Sequence, residues 1–245
     1  MPLHFVVDAA STAHVGDVVA LTGDEAHHAA AVRRVRVGEE VTLGDGRGAW
    51  LTGVCEAVAP REVRVRVRDR TLVPAAAPRI VLVQALAKGD RDELAVQAAT
   101  ELGVDEIVPW QASRSVSRWQ GPKLVKGVAR WSTIAREAAK QAHRAWIPPV
   151  ATPLGTPGVI ERAADARVLL LEPTAERALT ALDWPRGEAR DILLVVGPEG
   201  GIDGAEIDAF EAAGAEPVRM GASVLRTSTA GPAAIAVLSA ALGRW

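Results

Sequence analysis

One pattern occurs twice between residues 191 and 231: a short apolar run is followed by a polar loop rich in glycine or hydroxyl groups, and then by a helix-like segment. The first run, at 192–196, is a continuous series of branched apolar residues, which is typical of a strand buried on both faces of a parallel sheet. The second run covers 217–220. Open α/β sheets bind ligands where polar loops follow neighbouring parallel strands. We therefore predict an α/β domain in which these two strands are adjacent and their loops share a site.

The two loops differ in composition. Residues 197–201 are GPEGG, and paired glycines let a ligand approach the backbone closely, although such a loop can equally be a structural turn. Asp203 and Glu206 predict a capping box that starts a helix running to Ala213. The second loop, 221–231, places one cation beside three hydroxyls at 226–229.

Composition excludes several classes of protein. The lone Cys55 rules out an internal disulfide and any cysteine-cluster metal site, which favours a reducing compartment. The first ten residues lack the features of a signal peptide, and no apolar run reaches the roughly 18 residues that a membrane span needs. We expect a cytoplasmic protein that binds no membrane and no metal. Neither a dinucleotide fingerprint nor a P-loop is present, and the serines lack a nearby histidine base.

The first 73 residues predict a β-rich domain. Strand-like runs at 18–21, 40–43, 50–58 and 62–68 are separated by Gly-Asp and Asp-Gly turns. The last run alternates valine at 63, 65 and 67 with arginine at 64, 66 and 68, so valine is expected inside and arginine outside. The arginines form either a solvated face or an RNA-facing strip.

A short helix is predicted at 25–35, capped by Thr22 or Asp24. Adjacent histidines point in different directions on a helix and make a poor metal pair. A basic, RNA-contacting edge is the better hypothesis for this segment. It is carried by His28, Arg34 and Arg36.

A linker-like stretch, LVPAAAP at 72–78, predicts a domain boundary, with one domain at 1–73 and another at 74–245. Beyond it, strands at 79–87, 105–110 and 168–171 alternate with helical segments, the first at 91–102. This order predicts a mainly parallel sheet covered by helices.

A basic segment interrupts that order. Residues 114–144 contain eight Lys or Arg and one acid, Glu137, and residues 121–146 predict one long helix stopped by the prolines at 148 and 149. The segment is either a docking surface for a polyanion or a solvated helix face. Trp131 and Trp146 are expected in the core or at an interface, whereas Trp119 could belong to the core or stack on an unpaired base.

The stretches LLVVGPEGGIDGAEIDAF at 193–210 and MGASVLRTSTA at 220–230 resemble the ribosomal RNA small subunit methyltransferase E family. Further matching stretches, in the same order, begin at residues 27, 88, 114, 130 and 169, so the resemblance spans nearly the whole chain. Members of that family are SPOUT-class enzymes that methylate N3 of a uridine in 16S rRNA with S-adenosylmethionine.

The resemblance implies an α/β protein with an N-terminal PUA-like β-barrel at 1–73 and a C-terminal SPOUT α/β domain with a deep trefoil knot at 74–245. It also implies a homodimer whose partner is the 16S rRNA of the small ribosomal subunit. Strand and helix periodicity alone would not predict a knot, because knots are nearly absent from proteins.

The resemblance also implies the site. Arg226 is expected to stabilise negative charge on the uridine, and Glu199 is either the base or a residue that holds its loop through backbone N–H groups. Ser228 stands where the family commonly has glutamate, so this loop is expected to bind and orient. The cofactor-binding set is Leu171, Glu172, Gly197, Pro198, Gly200, Gly201, Met220, Gly221, Val224, Leu225, Thr227 and Ala230. The RNA-binding set is His28, Arg34, Arg36, Lys88, Arg114, Arg118, Lys123, Lys126 and Arg130.

Two other functions stay open on the sequence. One is a catalytically silent RNA-binding or ribosome-assembly protein with the same fold, which need not bind S-adenosylmethionine. The other is a small-molecule α/β enzyme with a phosphate-bearing ligand at 197–201. That second function leaves the β-rich domain and the basic segment unexplained.

Overall fold

The computed structural model describes residues 2–184 and 189–245. The chain forms two compact units. One contains Met1–Ala75 and Ala139–Ile147, and the other contains Ala76–Ala138 and Pro148–Trp245.

The first unit is built on a five-stranded sheet in the order β1-β3-β4-β5-β2. Its first strand, β1, runs parallel to β3, and the remaining pairs are antiparallel. The sequence analysis located four of these strands but not β1, which is only four residues long. The strands are β1 (Leu3–Val6), β2 (Val18–Thr22), β3 (Glu40–Gly44), β4 (Ala49–Ala59) and β5 (Glu62–Leu72).

The alternation on β5 is confirmed. Val63, Val65 and Val67 are buried in the core of this unit, and the arginines between them are exposed. Arg64 pairs with Glu62, and Arg66 donates two hydrogen bonds to Glu56 on the neighbouring strand. Because carboxylates on the same face already neutralise two of the three arginines, this geometry favours the solvated-face interpretation.

The helix predicted at 25–35 is shorter and less regular than expected. It begins as α1 (Gly23–His27) and continues as a π-helical turn at His28–Val32. Thr22 occupies the N-cap position without making a side-chain cap hydrogen bond. The helical turns end before Arg34, whose φ of 53° cannot continue a right-handed helix.

The second unit contains a fully parallel five-stranded sheet in the order β10-β8-β9-β6-β7. The prediction that the strands at 192–196 and 217–220 are adjacent is wrong, because β8 lies between β9 and β10. The two loops identified in the sequence therefore meet across a third strand end. The strands are β6 (Ile80–Ala85), β7 (Glu106–Trp110), β8 (Arg167–Leu171), β9 (Ile192–Val196) and β10 (Glu216–Val218).

Helices cover both faces of this sheet, so each strand is apolar on both sides. Leu82 packs with Trp131 and Ile235 on one face, and Val83 packs with Val159 and Phe210 on the other. The helix α4 was not predicted from the sequence. The helices are α2 (Arg91–Glu101), α3 (Pro122–Gln141), α4 (Thr156–Arg162), α5 (Gly204–Ala212) and α6 (Thr227–Ala241).

The long basic helix ends earlier than predicted. Its last residue is Gln141, because His143 takes the left-handed conformation with φ of 53° and Arg144 N–H donates to the carbonyl of Ala139. The prolines at 148 and 149 therefore do not end the helix. Trp131 is buried as predicted. Trp146 lies beyond the helix and donates its indole N–H to the carbonyl of Val73.

Candidate active site

Three loops at the carboxyl ends of β8, β9 and β10 enclose a cavity of about 470 Å³ in the second unit. The loop after β8 contributes Leu171–Pro173. The loop after β9 contributes Val196–Ile202 except Gly200. The third stretch runs from Val218 into the first turn of α6 and omits Ala222. Small-molecule sites usually measure about 300–1,000 Å³, so this cavity has the size of a ligand site.

Most of the predicted cofactor-binding residues line this cavity. Gly200 does not, and its carbonyl instead accepts a hydrogen bond from Arg114 at 3.3 Å. The sequence analysis missed other lining residues, among them Arg91, which comes from α2 and carries no local signal of a site. The predicted residues that line the cavity are Leu171, Glu172, Gly197, Pro198, Gly201, Met220, Gly221, Val224, Leu225, Thr227 and Ala230.

Two glycines shape the loop after β9. A Cβ at Gly197 would come within 2.6 Å of Cγ1 of Ile202, so a side chain there would displace the loop. Gly201 has φ of 73°, a conformation that residues with a Cβ rarely adopt. The glycines thus let the backbone turn tightly beside the cavity.

Glu199 is anchored to the start of α2. One oxygen of its carboxylate accepts hydrogen bonds from Lys88 N–H and from the guanidinium of Arg91, both at 2.9 Å. Burial alone would raise the pKa of Glu199. Hydrogen bonds from backbone N–H groups and from Arg91 outweigh it, and the pKa lies below its ordinary value. A carboxylate that is ionised and bound in this way favours the alternative in which Glu199 holds its loop.

Arg114 braces the same loop from the other side. Its guanidinium pairs with Asp203 at 3.1 Å and donates to the carbonyls of Gly200 and Ile202. Arg114 was predicted to bind RNA, and its contacts in the structure are to the loop. Asp203 caps α5 by accepting from Ala205 N–H at 3.1 Å.

The second half of the predicted capping box is wrong. Glu206 does not return to Asp203, because its carboxylate accepts hydrogen bonds from the N–H and the hydroxyl of Ser113 at 3.0 and 2.9 Å. These contacts join α5 to the segment that follows β7.

A buried relay connects the sheet to the loop after β9. Gln84, which is fully buried on β6, donates through Nε2 to Oγ1 of Thr227 at 2.9 Å. Thr227 in turn donates its hydroxyl hydrogen to the carbonyl of Gly197 at 2.8 Å. Gln84 could not be predicted from the sequence, because a single polar residue inside an apolar run carries no signal of its partner.

Arg226 occupies the N-cap position of α6 and lines the cavity with an exposed side chain. Within residues 2–184 and 189–245, its guanidinium has no hydrogen-bond or ion-pair partner. In contrast, the guanidinium of Arg219, another lining residue, donates to the carbonyl of Ala175 at 2.9 Å. Arg226 is therefore available to a bound molecule.

The residues predicted to bind RNA fall in both units. In the second unit, Lys88, Lys126 and Arg130 border a second cavity, and Arg130 pairs with Glu93 at 2.7 Å. Arg118 donates to the carbonyl of Ser113, and Lys123 is exposed on α3. In the first unit, Arg34 and Arg36 are exposed, whereas His28 is half-buried and packs edge-on against Phe5.

Across the described parts of the chain, no group of three or more His, Cys, Asp or Glu side chains could hold a metal ion. None of the helices described there combines the length and the apolar character that crossing a membrane would require.

Two parts of the chain match models of known protein families. Residues 75–239 match the RNA methyltransferase domain, and residues 21–68 match the RNA methyltransferase PUA domain. The fold and the cavity together thus define an RNA methyltransferase with a PUA domain.

Individual relatives refine that class. The chain is 44% identical over 235 residues to the ribosomal RNA small subunit methyltransferase E of Mycobacterium bovis, which covers 94% of this chain and 89% of that protein. The crystal structure of the enzyme of the same name from Neisseria gonorrhoeae, bound to S-adenosyl methionine, superposes with a TM-score of 0.86 at 28% identity and covers 98% of both chains. A methyltransferase from Legionella pneumophila in complex with the same cofactor gives a TM-score of 0.83 at 29% identity, over 98% of this chain and 97% of that one. The chain belongs to the ribosomal RNA small subunit methyltransferase E family.

Proposed function

We propose that this protein methylates N3 of a specific uridine in the 16S rRNA of the small ribosomal subunit with S-adenosylmethionine. The observation that carries the proposal is the three-loop cavity of an RNA methyltransferase domain, with Arg226 on its wall and without a partner in the described ranges 2–184 and 189–245. It agrees with the cofactor bound in the related structures from Neisseria gonorrhoeae and Legionella pneumophila.

The residues present fit S-adenosylmethionine. Leu171, Met220 and Leu225 supply apolar walls for an adenine ring, and the glycine-rich loop after β9 exposes backbone polar groups to the same space. The cavity volume of about 470 Å³ suits a ligand of this size. When bound, S-adenosylmethionine supplies an electrophilic methyl group on a positively charged sulfur.

The role of the protein is then mainly to position the acceptor, because methyl transfer needs little acid–base chemistry at the donor. Uridine N3 carries a proton that must leave, and negative charge develops on the pyrimidine carbonyls as it does so. We assign Arg226 to stabilise that charge, since its guanidinium has no partner in the described part of the chain. Glu199 is assigned to holding the loop, because its carboxylate already binds Arg91 and Lys88 N–H.

The RNA is expected to present an unpaired or flipped uridine, because N3 lies on the pairing edge of the base. We assign binding of the surrounding RNA to the basic side chains of both units, with the PUA-domain match at residues 21–68 as the support for the first unit. Arg34 and Arg36 are exposed there and suited to phosphate contacts.

We further propose that the second domain, 74–245, is a SPOUT domain with a deep trefoil knot and that the first, 1–73, is a PUA-like barrel. The support for the knot is the family resemblance, with which the path of α6 is compatible. This helix follows β10 at the edge of the sheet, yet Gly231 approaches Leu82 of β6 and Val196 of β9 in its interior. We propose that the protein acts as a cytoplasmic homodimer, as the family resemblance implies, with Leu94 of α2, which is half exposed, as one candidate interface residue.

A deletion strain tests the proposed function. Methylation of N3 blocks base pairing, so primer extension on small-subunit RNA should stop at the modified uridine in the wild type, read through in the deletion strain and stop again when the gene is restored. A stop that persists without the gene would contradict the assignment. Sedimentation of the purified protein tests the dimer separately.

A further inference from the structure

A second cavity, of about 480 Å³, lies in the methyltransferase unit and is not used by the chemistry described above. Its walls come from the loop after β6, the start of α2, residues 116–119 and the middle of α3. Its volume is close to that of the first cavity, so it too is large enough for one nucleotide.

An indole forms one wall of this cavity. A Cβ at Gly127 would come within 2.5, 2.6 and 2.7 Å of three ring atoms of Trp119, so the indole lies directly on the backbone of α3. Trp131 supports it edge-on, with ring centroids 5.0 Å apart. Glycine inside a helix costs about 1 kcal/mol relative to alanine. Here the absence of a side chain at Gly127 leaves room for the indole of Trp119 against the helix. The half-buried ring lines the cavity.

Basic side chains line the same cavity as this indole. Lys88 and Lys126 border the cavity, and neither ammonium has an ion-pair partner among the residues that the structure describes. The carboxylates of the same cavity are already engaged. Glu93 pairs with Arg130 at 2.7 Å, and Asp92 accepts hydrogen bonds from the backbone N–H groups of Ala87 and Glu93. The available charge is therefore positive.

The two cavities share one segment of chain. Arg91 lines the first cavity, and Lys88, Gly89 and Asp92, on either side of it, line the second. Glu199, on the wall of the first cavity, accepts a hydrogen bond from the backbone of Lys88. The second cavity is therefore a candidate to bind a nucleotide close in sequence to the one whose base lies beside the methyl donor.

We propose that this second cavity is a subsite for a single unpaired nucleotide of the substrate RNA, whose base stacks on Trp119 and whose phosphate is held by Lys88 and Lys126. The inference rests on the proposed function, because it takes RNA as the substrate. An aromatic ring with free ammonium groups is the combination that binds single-stranded nucleic acid without reading its sequence. The subsite would hold the RNA backbone in place while the target uridine is out of its stack.

Two exposed cations provide a matched test. Lys126 borders the cavity, whereas Arg61, in the turn between β4 and β5 and outside the predicted RNA-binding set, does not. With a fluorescein-labelled decauridylate as the probe, Lys126→Ala should weaken binding about tenfold and reduce the salt slope by about one, whereas Arg61→Ala should change affinity about twofold or less. Equal losses in the two variants would overturn the subsite.

Gly127→Ala tests the aromatic wall without removing a charge. The added methyl group must displace the indole, while alanine itself favours the helix. Loss of a base stack should weaken decauridylate binding by about 5- to 100-fold. In a decauridylate containing 5-iodouridine, irradiation should crosslink the wild type at Trp119 and leave this variant uncrosslinked there. A crosslink that maps elsewhere in the wild type would refute the proposal.

Methyl transfer to small-subunit ribosomal RNA, measured on the same preparations, separates the two hypotheses. If the wild type methylates the RNA and the variants bind the decauridylate as it does, only the subsite is wrong. If the wild type transfers no methyl group, the proposed function fails whatever the binding results show.

Discussion

The hydroxyl of Thr227 is the link through which the sheet holds the loop after β9, and Thr227→Val removes it while keeping the shape of the side chain. Thr227 is 7% exposed, and its Oγ1 accepts from Gln84 and donates to the carbonyl of Gly197. Valine fills nearly the same volume, so the variant loses hydrogen bonds without opening a cavity. The expected decrease in the free energy of unfolding therefore follows from the lost hydrogen bonds alone.

Two groups lose a partner in this variant. Nε2 of Gln84, which is fully buried, keeps only the carbonyl of Ala85 at 3.2 Å, and the carbonyl of Gly197 loses its donor. A buried polar group left without a partner costs about 1–3 kcal/mol. Because Gly197 borders the cavity and water can reach its carbonyl, we expect a total of about 2–3 kcal/mol.

Urea unfolding followed by tryptophan fluorescence measures this loss. Five of the seven tryptophans lie in the methyltransferase unit, so the signal reports mainly on that unit. Thr229→Val is the matched control, because Thr229 is exposed on the same helix and its hydroxyl has no partner among the described residues. Calorimetry with S-adenosylmethionine should show about tenfold weaker binding for Thr227→Val and little change for Thr229→Val, since a tenfold change corresponds to about 1.4 kcal/mol.

A double-mutant cycle with Gln84→Leu tests the relay itself. If Gln84 acts through Thr227, the losses of the two single variants should overlap and the double variant should cost less than their sum by about 1 kcal/mol or more. Additive losses, or a Thr227→Val loss as small as that of Thr229→Val, would refute the reasoning.

Three further predictions follow from the charged residues. Arg226→Ala should lower kcat by about 10²–10³ in a methyl-transfer assay and leave the Kd for S-adenosylmethionine within about twofold, because its guanidinium is assigned to the uridine; equal losses in both would make it a cofactor-binding residue. Glu199→Gln should weaken cofactor binding without moving the acid limb of the pH–rate profile, because a loop anchor with a lowered pKa is not the group that takes the proton; a shift of that limb would identify Glu199 as the base. Burial lowers the pKa of His4 from 6.5 to about 4, so between those values the unfolded chain binds a proton that the folded chain does not, and stability falls as the pH falls. From pH 7 to pH 5 this should cost about 2 kcal/mol in urea unfolding, and His4→Gln should remove most of that loss whereas His14→Gln, at an exposed position, should not.

The family, most of the strands and helices and most of the cavity wall could be predicted from the sequence alone. These features depend on residues close together in the chain. The apolar run at 192–196 became β9 with the same bounds, and the family resemblance named eleven residues that line the cavity. Family membership, the class of enzyme and the cofactor agree with the comparisons, whereas the roles of individual residues stay predictions.

Strand order and helix ends were harder to predict, because they depend on contacts that local patterns do not contain. Nothing in residues 191–231 indicates that β8 inserts between β9 and β10. The end of α3 was assigned to the prolines that follow, since proline is a strong stop signal. The helix ends earlier because His143 adopts a left-handed conformation and Arg144 closes the last turn.

The roles of the charged residues beside the site were also hard to predict, because their partners lie far away in the sequence. The sequence predicts that Arg114 binds RNA, and it leaves Glu199 as either the base or a residue that holds its loop. In the structure, Glu199 ties the loop after β9 to Arg91, and Arg114 ties it to Asp203. Both charges therefore have partners within the protein that hold the loop. Arg226, Lys88 and Lys126 have no such partner among the residues that the structure describes, so we expect their removal to affect the substrate before it affects the fold.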